Sequence, residues 1–282
     1  PARFCSDAVP AIAMHRISWG ARAPEIRIPR LGLGAVVLLG WELAARFGTI
    51  DEFFFSRPSD IAVRLGDWFG SGSIWRHMRI TVLEAALGLG IGGIAGLALG
   101  FGLARMRFVA AVVEPYVRMG NALPRVVLAP IFLLWFGLGI WSKVALGVSL
   151  VVFIVFFNTY QGVREVDQLL VDNARMLGAT ERQLWRFVLL PSALTWILAS
   201  LRLSVGFAVI GAVVGEYLGA ASGLGYLIAQ AEGTFDTTGV FAGIAVLCAV
   251  VVVVDMGADR GERHLLRWQP VRGTAITKGK QG

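Results

Sequence analysis

The sequence carries little charge. Asp, Glu, Lys and Arg make up 16% of its 282 residues and hydrophobic residues 56%, whereas a soluble domain carries about a quarter charged residues. A water-soluble globule is excluded, and one membrane-embedded domain is expected. Cysteine and histidine are scarce too. Cys5 and Cys248 lie far apart, and Cys248 sits in an apolar run, so no disulfide framework follows. His15, His77 and His264 are scattered without metal-ligand spacing, and no metal site is expected. GxxxxGK[ST] is missing, which denies the chain a phosphate-cradling loop of its own. No Ser/His/Asp or Cys/His grouping stands out, and no carboxylate pair is expected in the membrane core. No catalytic residue is therefore assigned. The first thirty residues are basic but lack the roughly 7–15-residue apolar core of a secretory signal. Met14 is a candidate natural start in place of Pro1. The formal charge is +7, but the basic residues flank apolar runs and form no patch, which speaks against nucleic acid and for a membrane.

What is present is a series of apolar runs. A spanning helix needs about 20 mostly apolar residues, and six candidates occur, at 31–47, 80–104, 126–140, 143–160, 192–217 and 240–255. The first is short and contains Glu42 and Arg46. Arginines concentrate before the first run, after the second (Arg105, Arg107), around 164–186 and in the tail beyond Asp255. With six spans all of these fall on one side, which places both termini in the cytoplasm. The opposite side holds Arg57, Arg64, Arg76, Arg79 and Lys143, and residues 219–238 contain no Lys or Arg. The expected organisation is a cytoplasmic segment over 1–30, a transmembrane domain over 31–257 and a basic cytoplasmic tail over 258–282. "PSDIAVRLGDWF" begins with a helix-start signal and sets Ile61, Leu65, Trp68 and Phe69 on one face, predicting an interfacial helix between the first two spans. Residues 113–124 are too polar for mid-bilayer and are expected along the cytoplasmic interface.

Gly88, Gly92, Gly96 and Gly100 recur every fourth residue, on one helix face, and small residues at that spacing let membrane helices approach closely. Gly88, Gly90 and Gly93 also match GxGxxG, but no strand precedes them, so the match is spurious. Glu42 and Glu84 are read as lying near span ends, in structural roles. Glu216 ends a long apolar run, just before Gly219, Gly223 and Gly225 break the helix. It either braces this re-entrant turn or lines a translocation path.

One charged stretch interrupts the apolar chain: "DNARMLGATERQLWRFVLLP", residues 172–191. Val166, Leu169, Leu170, Ala174 and Leu177 recur at helical spacing and predict a short amphipathic helix. Gly178 stops it. Thr180 restarts a helix, with Gln183 completing a capping box. The product is helix, sharp turn, helix on the cytoplasmic face, whose apolar face suits a second protein.

These residues resemble the EAA motif in permease subunits of binding-protein-dependent ATP-binding cassette (ABC) importers. Asp172, Asn173 and Ala174 stand for EAA, followed by Gly178 and by Leu190-Pro191. Asn173 departs from the usual alanine. "RPSDIAVRL", "LPRVVLAPIFLLWFGLGIWSK", "FFNTYQGVREVD" and "VVGEYLGAASGLGYLI" look like the nitrate, sulfonate and taurine branch. The resemblance implies an all-α type I importer fold in the cytoplasmic (inner) membrane of a prokaryote. It implies a second permease copy, two ABC ATPase subunits that bind ATP and Mg, and an extracytoplasmic substrate-binding protein. Asp172, Asn173, Ala174, Arg175, Leu177, Gly178, Ala179 and Thr180 would couple to the ATPase, within a loop spanning about residues 163–191. Arg175 and Arg182 meet acidic groups of that partner or are solvated. The implied cargo is a small anion such as a sulfonate, taurine or nitrate, with a thiamine-precursor pyrimidine or an aromatic acid as alternatives. A secondary transporter driven by an ion gradient would favour inverted repeats and charged relay residues, and the sequence shows no repeat and few such residues.

Overall fold

The computed structural model describes residues 27–265. Residues 1–26, with Met14, and the tail beyond 265 lie outside the described residues. Every regular element among the described residues is helical.

The first helix, α1 (Arg27–Arg46), is 20 residues long, or about 30 Å at about 1.5 Å per residue. Near its end Glu42 accepts from Arg46 Nε at 2.7 Å and from the Ser59 amide and hydroxyl at 3.0 Å each. Glu42 is thus structural, as expected: it fills the open N-terminus of α3 (Pro58–Gly70). A short helix, α2 (Glu52–Phe55), precedes α3. The expected interfacial helix is α3 itself. Its Leu65 and Trp68 pack onto a core of Ile74, Leu224, Val246 and Val250, and Arg64 pairs with Asp236 at 2.5 Å.

Three long helices make the centre: α4 (Ser73–Arg105), α7 (Ile140–Arg164) and α10 (Leu190–Gly219). The glycine stripe of α4 faces α7. A Cβ on Gly88 would lie 3.3 Å from Gly147 Cα, and one on Gly96 would lie 2.7 Å from the Val152 carbonyl oxygen. The helices touch backbone to backbone, and van der Waals packing replaces the hydrophobic drive that lipid cannot supply. The seam has a second half that sequence reasoning missed. Gly211 of α10 closes on Gly147 from the other side, so three helices cross over Gly88, Gly147 and Gly211. Ala85, Val151, Val155, Ala208, Val209 and Ala212 fill the space beside them. The helix α11 (Leu224–Gly233) and the final helix α12 (Thr237–Leu265) complete the bundle.

Four described stretches have the length and composition to cross a membrane: Ser73–Arg105, Ile140–Arg164, Glu181–Gly233 and Thr237–Gly261. The third span, expected over 126–140, is not one helix. A tight turn, Arg125–Leu128, leads into α6 (Ala129–Phe136), which Gly137 ends at φ +71. The stretch 125–136 covers about 18 Å, short of the ~30 Å hydrocarbon core. It forms a bent pair with the preceding helix α5 (Arg107–Ala122), at 83°. The bend falls at Leu123-Pro124, where Leu123 is extended (φ −67, ψ 133) because a residue before proline avoids the helical region. Counting the bent pair as one span gives up to five candidate crossings among the described residues by length and composition; α1 has the length of another but is not among them.

Candidate functional site

The charged stretch folds as a hairpin at one end of the bundle, between α7 and α10. Its first helix is α8 (Gln168–Met176), and Asp167 caps it by accepting from the Leu169 amide at 2.9 Å. Gly178 ends it at φ +82. The Gly178 amide donates to the Arg175 carbonyl at 2.9 Å and the Ala179 amide to the Ala174 carbonyl at 3.0 Å, the paired bonds of a Schellman turn. Thr180 then caps α9 (Glu181–Leu184) with the expected capping box: the Gln183 amide donates to Thr180 Oγ1, and the Thr180 amide donates to Gln183 Oε1. A widened turn, Trp185–Leu189, carries the chain into α10.

The expected apolar stripe of this hairpin divides in two. Val166 is buried with Val171 and Leu184, and Ala174, Val188 and Leu189 pack against them. Leu169, Leu170, Met176 and Leu177 point outward, Leu177 at 90% exposure. A helix this short that carries apolar residues on two sides makes a small core of its own with one and leaves the other open. Asp172 and Asn173 are exposed and Ala179 half-buried. Arg175 pairs with Glu181 at 3.2 Å across the turn, so its carboxylate partner lies within the hairpin. The hairpin also seats on α4: Trp185 packs edge-on against Phe101 at 6.1 Å, and the Arg105 guanidinium lies 5.9 Å from the Trp185 ring.

At the opposite end, where α4, α7 and α12 begin and α10 stops, lies a buried polar cluster. Glu216 is 1% exposed. Its carboxylate accepts from Thr81 Oγ1 at 2.6 Å and from the Gly225 amide at 2.8 Å. The Leu224 amide donates to Thr81 Oγ1 at 2.9 Å, and the Gly223 amide to His77 Nδ1 at 3.0 Å. The turn between α10 and α11 is thus held by side chains of α4 and α10. Of the two readings of Glu216, the geometry is that of a brace. Gly219 ends α10. Gly223 has φ +123, and a Cβ there would run into the Glu216 carboxylate. A Cβ on Gly225 would lie 2.9 Å from Glu216 Cβ. Gly223→Val is accordingly expected to disrupt the turn and to cost the protein much of its stability. Glu216→Gln keeps one acceptor oxygen and is expected to be milder, at about 1–3 kcal/mol of stability. Thermal melts of the two variants check the order.

Two further charges belong to the same cluster. Lys143, expected as a basic flank, is 1% exposed. Its ammonium donates to the carbonyls of Leu138, Gly139 and Gly219, at 2.5, 3.1 and 2.6 Å. It satisfies an open carbonyl at the end of α10 and ties the loop before α7 to it. Glu84, expected near a span end, is 4% exposed instead. It sits three turns into α4 because α4 begins at Ser73, well before the apolar run itself. It lies one turn along α4 from Thr81, the residue that bonds Glu216. Lys143, Thr81 and His77 were missed. The available signal was a lysine inside the apolar run "GLGIWSKVALGV", an intramembrane charge with a presumption of function.

Comparison with known proteins agrees with this architecture. Residues 88–267 match the family model described as binding-protein-dependent transport system inner membrane component. The chain is 34% identical over 237 residues to a putative aliphatic sulfonates transport permease of Bacillus subtilis (strain 168), covering 84% of this chain and 86% of that one. It is also 34% identical over 234 residues to a formylaminopyrimidine transport permease of Halalkalibacterium halodurans, covering 83% and 93%. Among solved structures, an inward-facing conformation of the MetNI methionine ABC transporter superposes with TM-score 0.61 at 20% identity, covering 69% of this chain and 98% of that one. The fold is therefore that of an ABC importer permease, and the chain belongs to the family of inner membrane components of binding-protein-dependent transport systems.

Proposed function

We propose that this permease subunit carries a small organosulfonate inward, through a pathway it forms with a second copy of itself. ATPase subunits dock on the hairpin at 168–189 and do the hydrolysis. An extracytoplasmic binding protein delivers the solute at the end of the bundle where Glu216 lies, and both termini are cytoplasmic. The observation that carries this reading is the capped, exposed apolar face of Leu169, Leu170, Met176 and Leu177 on a hairpin with its own small core. An exposed apolar face of this kind marks a surface that another protein covers. Asp172, Asn173, Ala174, Arg175, Leu177, Gly178, Ala179 and Thr180 act together as this docking element.

The sulfonate reading leans on the Bacillus relative and on the resemblance of the sequence. The formylaminopyrimidine permease, equally similar, supports the neutral-pyrimidine alternative. Uptake by cells expressing the chain with its ATPase and binding protein separates them. A labelled alkanesulfonate is expected to accumulate in an ATP-dependent way. Accumulation of a neutral pyrimidine alone would remove the anion. ATP-independent uptake driven by an ion gradient would remove the ATPase.

A further inference from the structure

Glu84, Glu216 and Lys143 bring three ionisable groups into one buried place. Their hydrogen bonds leave little choice about where protons sit. The three N–H bonds of the Lys143 ammonium are all occupied by main-chain carbonyls, so Lys143 faces the glutamates as a charge and not as a donor. Glu216 receives one hydrogen from Thr81 and one from the Gly225 amide. Among the described residues nothing donates to Glu84 Oε2, which is fully buried. Yet Glu84 stands one helical turn along α4 from Thr81, whose hydroxyl meets the Glu216 carboxylate at 2.6 Å, so the two buried carboxyl groups are neighbours. Two carboxylates placed so closely away from water repel strongly, and a hydrogen bond between two carboxyls requires a hydrogen on one of them. Counting charge gives the same answer. One ammonium and two carboxylates would leave a net negative charge in a low-dielectric interior, where an uncompensated charge is very costly.

We propose that Glu84 and Glu216 share one proton, which makes the cluster with Lys143 electrically neutral and clamps α4 to α10 where the 219–225 turn is held. The site is a proton-binding site, and Glu84 and Lys143 are positioning residues for the turn. The other titratable and charged groups facing it are His77 of α4, with Arg76 beside it, and Tyr226 of α11, which stacks on His77 at 6.0 Å. When the proton leaves, both carboxylates are charged with only Lys143 to balance them. Glu84 and Glu216 then repel, and the contact that fixes the Gly223 and Gly225 amides loosens. The inference goes beyond the proposed transport function and does not depend on which solute is carried.

The test uses the full chain purified into lipid nanodiscs, without ATPase or solute. The infrared spectrum of the unmodified chain minus that of Glu84→Gln, at neutral pH, should contain a carboxylic-acid C=O band. The amide replaces the protonated carboxyl, and the remaining Glu216 is ionised against Lys143. Glu216→Gln should remove the same band, and it carries the test if Glu84→Gln fails to insert. Thermal melts supply the second readout. A proton held by the folded state and released on unfolding stabilises the protein at low pH, and that stability is lost as pH rises. The melting temperature of the unmodified chain should therefore fall from neutral to alkaline pH, and Glu84→Gln, whose amide hydrogen does not titrate there, should fall less steeply. Absence of the acid band, or equal slopes in the two proteins, would overturn the shared proton.

Discussion

Replacing Gly178 by valine is expected to leave the chain inserted in the membrane and to cut solute uptake by about tenfold or more. Gly178 has φ +82, and a Cβ there would meet nothing within 4 Å. The penalty is therefore one of backbone conformation rather than space. A residue forced into a sparsely populated region costs about 1–3 kcal/mol, and a β-branched one is a genuine outlier there. To relieve it, the hairpin must give up the bonds from Gly178 to Arg175 and from Ala179 to Ala174. α8 then swings relative to α9, and the exposed face at Met176 and Leu177 no longer meets its partner as a unit. Asparagine tolerates the left-handed region better, so Gly178→Asn should retain more uptake than Gly178→Val. Uptake normalised to the amount of chain in the membrane gives the ranking, and equal uptake by both variants would show that the turn carries no such duty.

Gly211→Ala should be a strongly damaging single-methyl change in the centre of the membrane domain. The added carbon would lie 2.6 Å from Gly147 Cα and 2.8 Å from the Gly147 nitrogen. Both are backbone atoms of α7, with no side chain to step aside. α10 and α7 must separate, and because Gly88 presses on Gly147 from α4, the disturbance reaches a third helix. Overpacking a close-packed core costs about 1–3 kcal/mol, and here the backbone contact puts the expectation at the upper end. Gly90→Ala is the matched control, since a Cβ there meets nothing within 4 Å and alanine is the better helix former in an exposed position. Thermal melts in one detergent should show a clear drop for Gly211→Ala and no drop for Gly90→Ala.

The comparison of these two glycines also shows what the sequence made legible. Spacing of four placed Gly88, Gly92, Gly96 and Gly100 on one face, because a helix repeats close to that period. Gly147 and Gly211 were invisible to the same reasoning, since each is a lone glycine in an apolar run and only tertiary packing selects it. In the hairpin, Asp167, Gly178, Thr180 and Gln183 act on their own neighbours within a few residues, and such local chemistry can be read directly. Which of Leu169, Ala174 and Leu177 turns inward depends on what the hairpin folds against, and the stripe taken as one face divided. The bent third span had its signal in Pro124 and Pro130, yet its apolar content suggested one continuous helix. The charge cluster was least legible. Glu84 and Lys143 are 59 positions apart and Lys143 and Glu216 a further 73, and nothing in a linear pattern brings them together.

The central claim is that the 168–189 hairpin is the docking surface for an ATPase, and disulfide cross-linking from its exposed tip tests this most directly. Cysteine is placed at Leu177 by Leu177→Cys in a chain whose own Cys5 and Cys248 are replaced by serine. A matched chain carries Trp75→Cys, an exposed position at the opposite end of the bundle. Each is assembled with an ATPase subunit carrying surface cysteines around its docking groove and exposed to a mild oxidant with and without ATP. A cross-linked permease–ATPase band is expected from Leu177→Cys, with a yield that changes on adding ATP, and none from Trp75→Cys. No band from Leu177→Cys in a preparation that still shows ATP-dependent uptake would contradict it.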